Sequence, residues 1–355
     1  MGTAIAYAMD KFGFEVTGMD TNPDAANNMP DGAHSFFVVD DAEDICKGIV
    51  ANGPRPDIVV SSLPYHQTEI VGKWCVDNEV RYCDLGGRVD VSKSINDHAK
   101  QFATRPVFTD LGLAPGWVNI LAEEGCRKLH GKAESVKMMV GGLPDYAESI
   151  RNPLRYAVTW SVDGLINEYR DDCLVLEDSE VKTVHGMDGL EHIEGQNFGM
   201  MEAFYTSGGA SHSIPAMQER GVKNCSYKTI RYRGHRDIVR FLIKDCSLDD
   251  ESLNKIFVEG CGIANKDEVL IVAEVKGEDK AWRKEKVIRS DDNFSAMQKA
   301  TAFSISSVAA IMAEGHMEGD RDEHRDYYTQ YPKNLSYMHI PFEQFQKNLY
   351  TLGIN

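Results

Sequence analysis

The chain has 355 residues, 42% of them hydrophobic, with 55 acidic against 38 basic side chains and a formal net charge of −17. A single core stops growing at about 250–300 residues, so this length predicts two domains. The acidic balance argues against a nucleic-acid partner, which needs clustered Lys and Arg, and no apolar run approaches the ~18 residues of a membrane span.

A small molecule or another protein is therefore the expected partner. The eight cysteines form no C-x-x-C pair, and no histidine cluster has a metal-ligand spacing, so no metal site is predicted. Scattered thiols and an N-terminus without signal-peptide character point to the cytoplasm.

The opening "MGTAIAYAMDKFGFEVTGMD" runs from a glycine into a helix of small residues, a glycine stop at Gly13, and a strand ending at Asp20. This is the rear half of a dinucleotide-binding unit. The complete G-x-G-x-x-G fingerprint opens a helix after a strand, with an acid about 20 residues on for the ribose hydroxyls. Gly2 takes the place of the third glycine and Asp20 that of the acid. The following Thr21, Asn22 and Pro23 offer no cation to a 2′-phosphate, so NAD is predicted over NADP. The central first strand of such a sheet is not in the sequence, and about a dozen residues upstream of Met1 would supply it.

Short apolar strands recur at 14–20, 35–40, 57–64, 80–87 and 106–113, with helix-compatible stretches between them. That alternation predicts a doubly wound parallel sheet, an α/β Rossmann domain over residues 1–117. Residues 118–290 change rhythm. "VKMMVGG", "YAVTWS", "MMEAFYT", "VLIVAEV" and "RKEKVI" read as strands of an inserted, mostly antiparallel α+β domain with few long helices. Residues 291–355 begin with an Ala- and Ser-rich helix that returns to the first domain, capped by Asp292 or Asn293 and closed by Gly315. A charged stretch from Gly319 reads as solvated surface. The closing helix places Phe342, Phe345 and Leu349 on one face, for docking on the body or on a second subunit.

Six ordered stretches carry a resemblance: "LPYHQT" at 63–68, "DLGG" at 84–87, "DLGLAPGWVNIL" at 110–121, "VGGLP" at 140–144, "MEAFYTSGG" at 201–209 and "YKTIRYRGH" at 227–235. Together they resemble the saccharopine dehydrogenase family, most nearly its lysine 6-dehydrogenase branch. The resemblance implies an NAD(P)-dependent oxidoreductase acting on a carbon–nitrogen bond of lysine or a lysine-derived amine. It also implies a homodimer or higher homo-oligomer formed through the substrate domain. In the lysine branch, hydride passes from the ε-carbon to NAD and the imine is hydrolysed. Saccharopine-type members usually carry D-P-G where this chain has Ala114-Pro115-Gly116, which favours the lysine branch.

Within "YKTIRYRGH", strand alternation puts Arg231, Arg233 and His235 on one face, where a guanidinium could fork a substrate carboxylate. A charged exposed strand is the plain alternative. Gly142 and Leu143 fall on the substrate side by resemblance, although "VGGLP" also reads as a tight turn. Tyr65 stands at a strand end where a doubly wound sheet presents its ligand crevice, with Leu63 and Pro64 flanking the nicotinamide. Thr206 and Glu202 could line the pocket or simply pack. Removing the ammonium proton needs a base poised near neutrality. His235, Lys228 and Asp84 are the unranked candidates, with Asp84 equally suited to capping its own loop. Two other readings stay open: a saccharopine-type enzyme that forms or splits a secondary amine, and an NAD-binding protein of the same fold without catalysis.

Overall fold

A computed structural model describes residues 1–31, 34–51, 55–317 and 335–355. The chain divides into two compact units, one of residues 1–120 with 301–355 and one of residues 121–300.

In the first unit the strands are β1 (Thr17–Asp20), β2 (Ser35–Val38), β3 (Ile58–Ser61), β4 (Arg81–Asp84) and β5 (Val107–Phe108). Every pair is parallel, in Rossmann-like style; the helix Gly2–Lys11 precedes β1, a short 3-10 turn Pro23–Asn28 links β1 to β2, and the helices Ala42–Ala51, Tyr65–Asp77 and Val89–Phe102 separate the later strands. One continuous sheet was the expectation, and two separate ones are found, β1–β2 and β3–β4–β5. No backbone ladder among the described residues joins the two sheets. The core gathers Ile45, Val71, Cys75, Tyr82, Ile95 and Val107.

The returning helix runs Ala296–Ala313, with Gly315 at φ +75° just beyond its end. Its start is capped neither by Asp292 nor by Asn293. Ser295 and Gln298 form a reciprocal capping box, Ser295 Oγ accepting from Gln298 N at 3.0 Å and Gln298 Oε1 from Ser295 N at 2.9 Å. The Asp267 carboxylate takes the next two N–H groups, of Ala296 and Met297, at 2.7 and 3.0 Å. The closing helix Phe342–Thr351 docks on the first unit, with Phe345 buried edge-on against Trp117 and Asn348 Nδ2 donating to Ser307 O. The charged stretch from Gly319 lies outside the described residues.

The second unit carries β6 (Ser135–Pro144), β7 (Cys173–Glu177), β8 (Glu180–Val184), β9 (Glu191–Ile193), β10 (Met201–Tyr205), β11 (Asn224–Arg231), β12 (Asp267–Lys276) and β13 (Ala281–Arg289). They form one sheet ordered β13-β12-β6-β11-β10-β9, with β7 joining β11 to β8. All described pairs are antiparallel except β6–β11. The "YAVTWS" segment is not a strand. Val158 makes only an isolated bridge to Ile263, and Ser161 instead caps the helix Val162–Arg170 by accepting from Gly164 N. The apolar run there serves a helix start, an N-cap Ser that a period-two pattern does not register.

All eight cysteines are free, six of them buried. Among the described residues no helix is long and apolar enough to cross a membrane.

Candidate functional site

The second unit holds the more telling cluster. Register sets Glu202 opposite Arg231 and Phe204 opposite Thr229, so Arg231, Thr229 and Tyr227 share one sheet face with Thr206. Thr206 and Thr229 hydroxyls bond at 2.7 Å. The helix Val162–Arg170 brings Tyr169 to the same place through its buried face of Val162, Leu165, Ile166 and Tyr169.

Arg231 is 2% exposed, and its guanidinium lies 5.4 Å from the Tyr156 ring centroid and 5.7 Å from that of Tyr169. Nε donates to the Tyr169 hydroxyl at 2.8 Å and Nη1 to Ile230 O at 2.9 Å. No carboxylate among the described residues lies within the 4.0 Å of an ion pair with it. A buried cation without a counter-ion is costly, so its retention points to an anion supplied from outside.

His235 fixes that cation in place. Nδ1 lies 2.7 Å from Leu154 O, and Nε2 lies 2.9 Å from the Tyr169 hydroxyl. Burial, then the charge of Arg231, pushes the imidazole down to about 3, so the ring is neutral at neutral pH. A carbonyl only accepts, so Nδ1 carries the proton and Nε2 accepts from Tyr169, whose oxygen accepts in turn from Arg231. The chain of bonds has one direction, and it aims the guanidinium.

Two expectations for "YKTIRYRGH" are thereby corrected. The strand ends at Arg231, and Gly234 at φ +93° turns the chain so that His235 opens the helix His235–Arg240. Arg233 is exposed in that turn, so the three residues share no strand face. His235 is neutral with both nitrogens engaged, and offers no base poised near neutrality. Glu202 holds the turn, accepting from Gly234 N at 2.9 Å and Arg236 N at 2.6 Å.

A pH dependence follows from His235. The folded ring resists a proton that the unfolded ring takes near pH 6.5, so its contribution is full above that pH and fades as pH falls toward 3. The advantage of wild type over His235→Gln in denaturant unfolding should therefore shrink between pH 7.5 and pH 5. A constant difference would mean that the ring charges freely.

Lys228 faces the opposite side of the sheet. Its Nζ lies 2.7 Å from Glu191 Oε1, also donates to Gly189 O, and sits 4.6 Å from the Tyr205 ring centroid. Burial lowers its pKa, and Glu191 counteracts this. Leu143 likewise points into the core on that side, with Met139, Ala203 and Ile230. Gly142 faces the Arg231 side, where an added Cβ would meet Met297 Cε at 2.4 Å and Thr159 Oγ1 at 3.4 Å. The Thr159 and Tyr156 hydroxyls are buried there without a hydrogen bond of normal geometry.

Glu168, next to Tyr169, escaped the sequence reading. The residue is half-buried, and its carboxylate oxygens keep some contact with solvent. Desolvation pushes it up to about 7, opposed by Arg231. No hydrogen bond or ion pair of that carboxylate occurs among the described residues. Its one sequence signal is its place beside the apolar stripe of a short amphipathic helix, which ordinarily marks a solvated flank.

In the first unit, Asp84 closes β4. Its Oδ1 accepts from Gly86 N at 2.8 Å and Asp110 N at 3.0 Å, the loop-capping role. Oδ2 is buried and unbonded. Burial, then the nearby Asp110 carboxylate, pushes the Asp84 carboxyl upward, against the two backbone N–H bonds that favour its charged form. Ser92 Oγ lies 2.6 Å from Asp110 Oδ1. Leu63 packs on the core, Pro64 precedes the helix Tyr65–Asp77, and the exposed Tyr65 ring lies under the Arg88 guanidinium at 5.4 Å. Gly2 opens its helix with no side-chain cap, and a Cβ there would meet only Ser62 Oγ at 3.5 Å, an ordinary contact. The tight packing expected of a third fingerprint glycine is not imposed by the described residues. Asp20, exposed at the carboxyl end of β1, accepts from Asn22 N at 2.9 Å.

Fold and clusters define an α/β chain with Rossmann-like parallel strands and, inserted in sequence, a mainly antiparallel unit around a buried, unpaired arginine. Residues 112–325 match the saccharopine dehydrogenase C-terminal domain, and the chain belongs to that family. It is 33% identical over 137 residues to the mitochondrial alpha-aminoadipic semialdehyde synthase of Rattus norvegicus, covering 37% of this chain and 14% of that protein. It is 25% identical over 222 residues to the saccharopine dehydrogenase [NADP(+), L-glutamate-forming] of Pyricularia oryzae, covering 61% of this chain and 48% of that protein. The chain thus spans half or less of the length of these relatives. The apo saccharopine dehydrogenase (L-Glu forming) of Saccharomyces cerevisiae has the same fold, with a TM-score of 0.69 at 14% identity over 99% of this chain and 96% of that one.

Proposed function

We propose that this protein is a pyridine-nucleotide-dependent oxidoreductase acting on a carbon–nitrogen bond of lysine or a lysine-derived amine, with oxidative deamination at the ε-carbon as the leading reaction. The observation that carries the reading is Arg231, a buried guanidinium aimed by Tyr169 and His235 and lacking an ion-pair partner among the described residues. A substrate carboxylate supplies the missing anion, and the planar fork binds it through two parallel bonds. Family membership and the names of the relatives support the choice of chemistry.

The ribose end of a nucleotide fits the first unit, because Asp20 is exposed at a strand end with one oxygen already oriented by Asn22. Bound nicotinamide would supply the two-electron acceptor for the carbon that bears the nitrogen. The chain's own part is to hold the ribose hydroxyls, fix the carboxylate and take up a proton. Asp20 followed by Thr21, Asn22 and Pro23 favours NAD over NADP, although the named fungal relative uses NADP(+).

Reduced-nucleotide formation at 340 nm, with lysine or saccharopine and with NAD or NADP, tests the proposal. Lysine with NAD should give the highest kcat/KM, and Asp20→Ser should narrow the preference for NAD. Turnover of saccharopine alone would move the protein to the secondary-amine reaction. Equal use of both nucleotides by the unaltered protein would remove the role of Asp20.

A further inference from the structure

The Arg231 cluster contains a second unpaired charge, and the pair has a chemical meaning. Glu168 and Arg231 lie near enough for each to act on the other's charge, yet they form no ion pair within 4.0 Å. Opposite charges in a poorly solvated place ordinarily close into contact, since attraction rises steeply as dielectric falls. Here Arg231 is drawn to the Tyr169 hydroxyl by its Nε, and Glu168 is fixed by the helix that carries Tyr169. Two buried hydroxyls, of Tyr156 and Thr159, stay unbonded in the same neighbourhood.

Resting on the oxidoreductase reading above, we propose that Glu168 and Arg231 together recognise a free α-amino-acid group, Glu168 taking the α-ammonium and Arg231 the α-carboxylate. A ligand that carries both charges on one carbon satisfies both protein charges at once. A carboxylate alone would leave Glu168 unanswered beside a second anion. The site therefore selects substrates ending in a zwitterion over simple amino-alkyl carboxylates or diamines. Glu168 is then a specificity-determining residue at the end of the substrate remote from the oxidised carbon.

Calorimetric binding to the full chain separates the parts, using lysine, 6-aminohexanoate, which lacks the α-amino group, and cadaverine, which lacks the carboxylate. A charge-assisted contact implies that wild type binds lysine roughly 10–100-fold more tightly than 6-aminohexanoate. Glu168→Gln, nearly isosteric, should bring that ratio to within about threefold, weakening lysine and, by removing a neighbouring anion, binding 6-aminohexanoate at least as tightly as wild type does.

Wild type alone provides a second arm. The lysine preference should fall as pH drops from 8 to 6, because a carboxyl displaced to about 7 is neutralised over that range. The ionisable groups facing Glu168 are Arg231, Tyr156, Tyr169, Tyr227 and Cys173. All four of the neutral ones are pushed upward, away from that window.

A lysine preference unchanged in Glu168→Gln, or absent from wild type, overturns the assignment to Glu168 while Arg231 keeps its role. If 6-aminohexanoate binding is indifferent to Arg231→Met, or if cadaverine binds as well as lysine, the carboxylate reading fails instead.

Discussion

Replacing Arg231 with Met should weaken lysine strongly while leaving the protein as stable as before, or more so. The two effects have one origin. Arg231 is buried with no ion-pair partner within 4.0 Å among the described residues, so its desolvation is offset only by its bonds to Tyr169 and Ile230, its two ring contacts and the more distant charge of Glu168. A Met of similar length removes that penalty and leaves the Tyr169 hydroxyl donating to His235. With substrate present the balance reverses. A charge-assisted bond is worth about 1.5–3 kcal/mol, so kcat/KM should fall about 10–150-fold. Most of the loss should appear in KM, because a carboxylate remote from the reacting carbon changes little in the transition state. Arg231→Lys should also be harmful, since a point ammonium can make neither the forked contact nor the aimed Nε bond. Steady-state kinetics beside thermal unfolding reads both quantities. A large loss of stability with KM unchanged would make Arg231 a structural residue.

Among the described glycines of the first unit, Gly116→Ala should be the most disruptive single methyl. Gly116 has φ +133°, and a Cβ there would stand 2.0 Å from Gly112 O and 2.6 Å from Gly112 C and N. These are backbone atoms that cannot swing aside. Gly112 O also accepts from Trp117 N at 2.9 Å, and Asn119 Oδ1 accepts from Gly116 N at 2.8 Å, so the collision falls where the helix Trp117–Lys128 begins. Strained φ alone accounts for about 1–3 kcal/mol, and the contact adds to it, so a loss of at least about 3 kcal/mol is expected. Urea unfolding followed by Trp fluorescence would show it as a lowered midpoint or as failure to recover folded protein. A wild-type midpoint would mean that the loop rearranges freely around residue 116.

Much of this protein is legible from local pattern. The beat of short apolar strands and helices in residues 14–113 carries the parallel unit, because period and run length answer to burial on both faces. Phe345 and Leu349 of the closing helix are buried, as helical spacing requires. The ordered motifs around "YKTIRYRGH" and "APGW" led to the family that residues 112–325 match.

Other features depend on residues that meet only after folding. The returning helix takes its buried cap from Asp267, nearly thirty positions upstream, which no local capping pattern can reveal. His235 lies in the same motif as Arg231, yet a left-handed turn at Gly234 removes it from the strand and burial removes its charge. Tyr169 and Glu168 arrive from a helix some sixty residues earlier in the chain. In sequence Glu168 is an ordinary acid on the flank of an amphipathic helix, as solvated as any other. Its pKa near 7 and its unpaired state beside Arg231 arise only when packing strips much of the water from its carboxylate, because desolvation and charge proximity belong to the assembled unit and not to neighbouring letters.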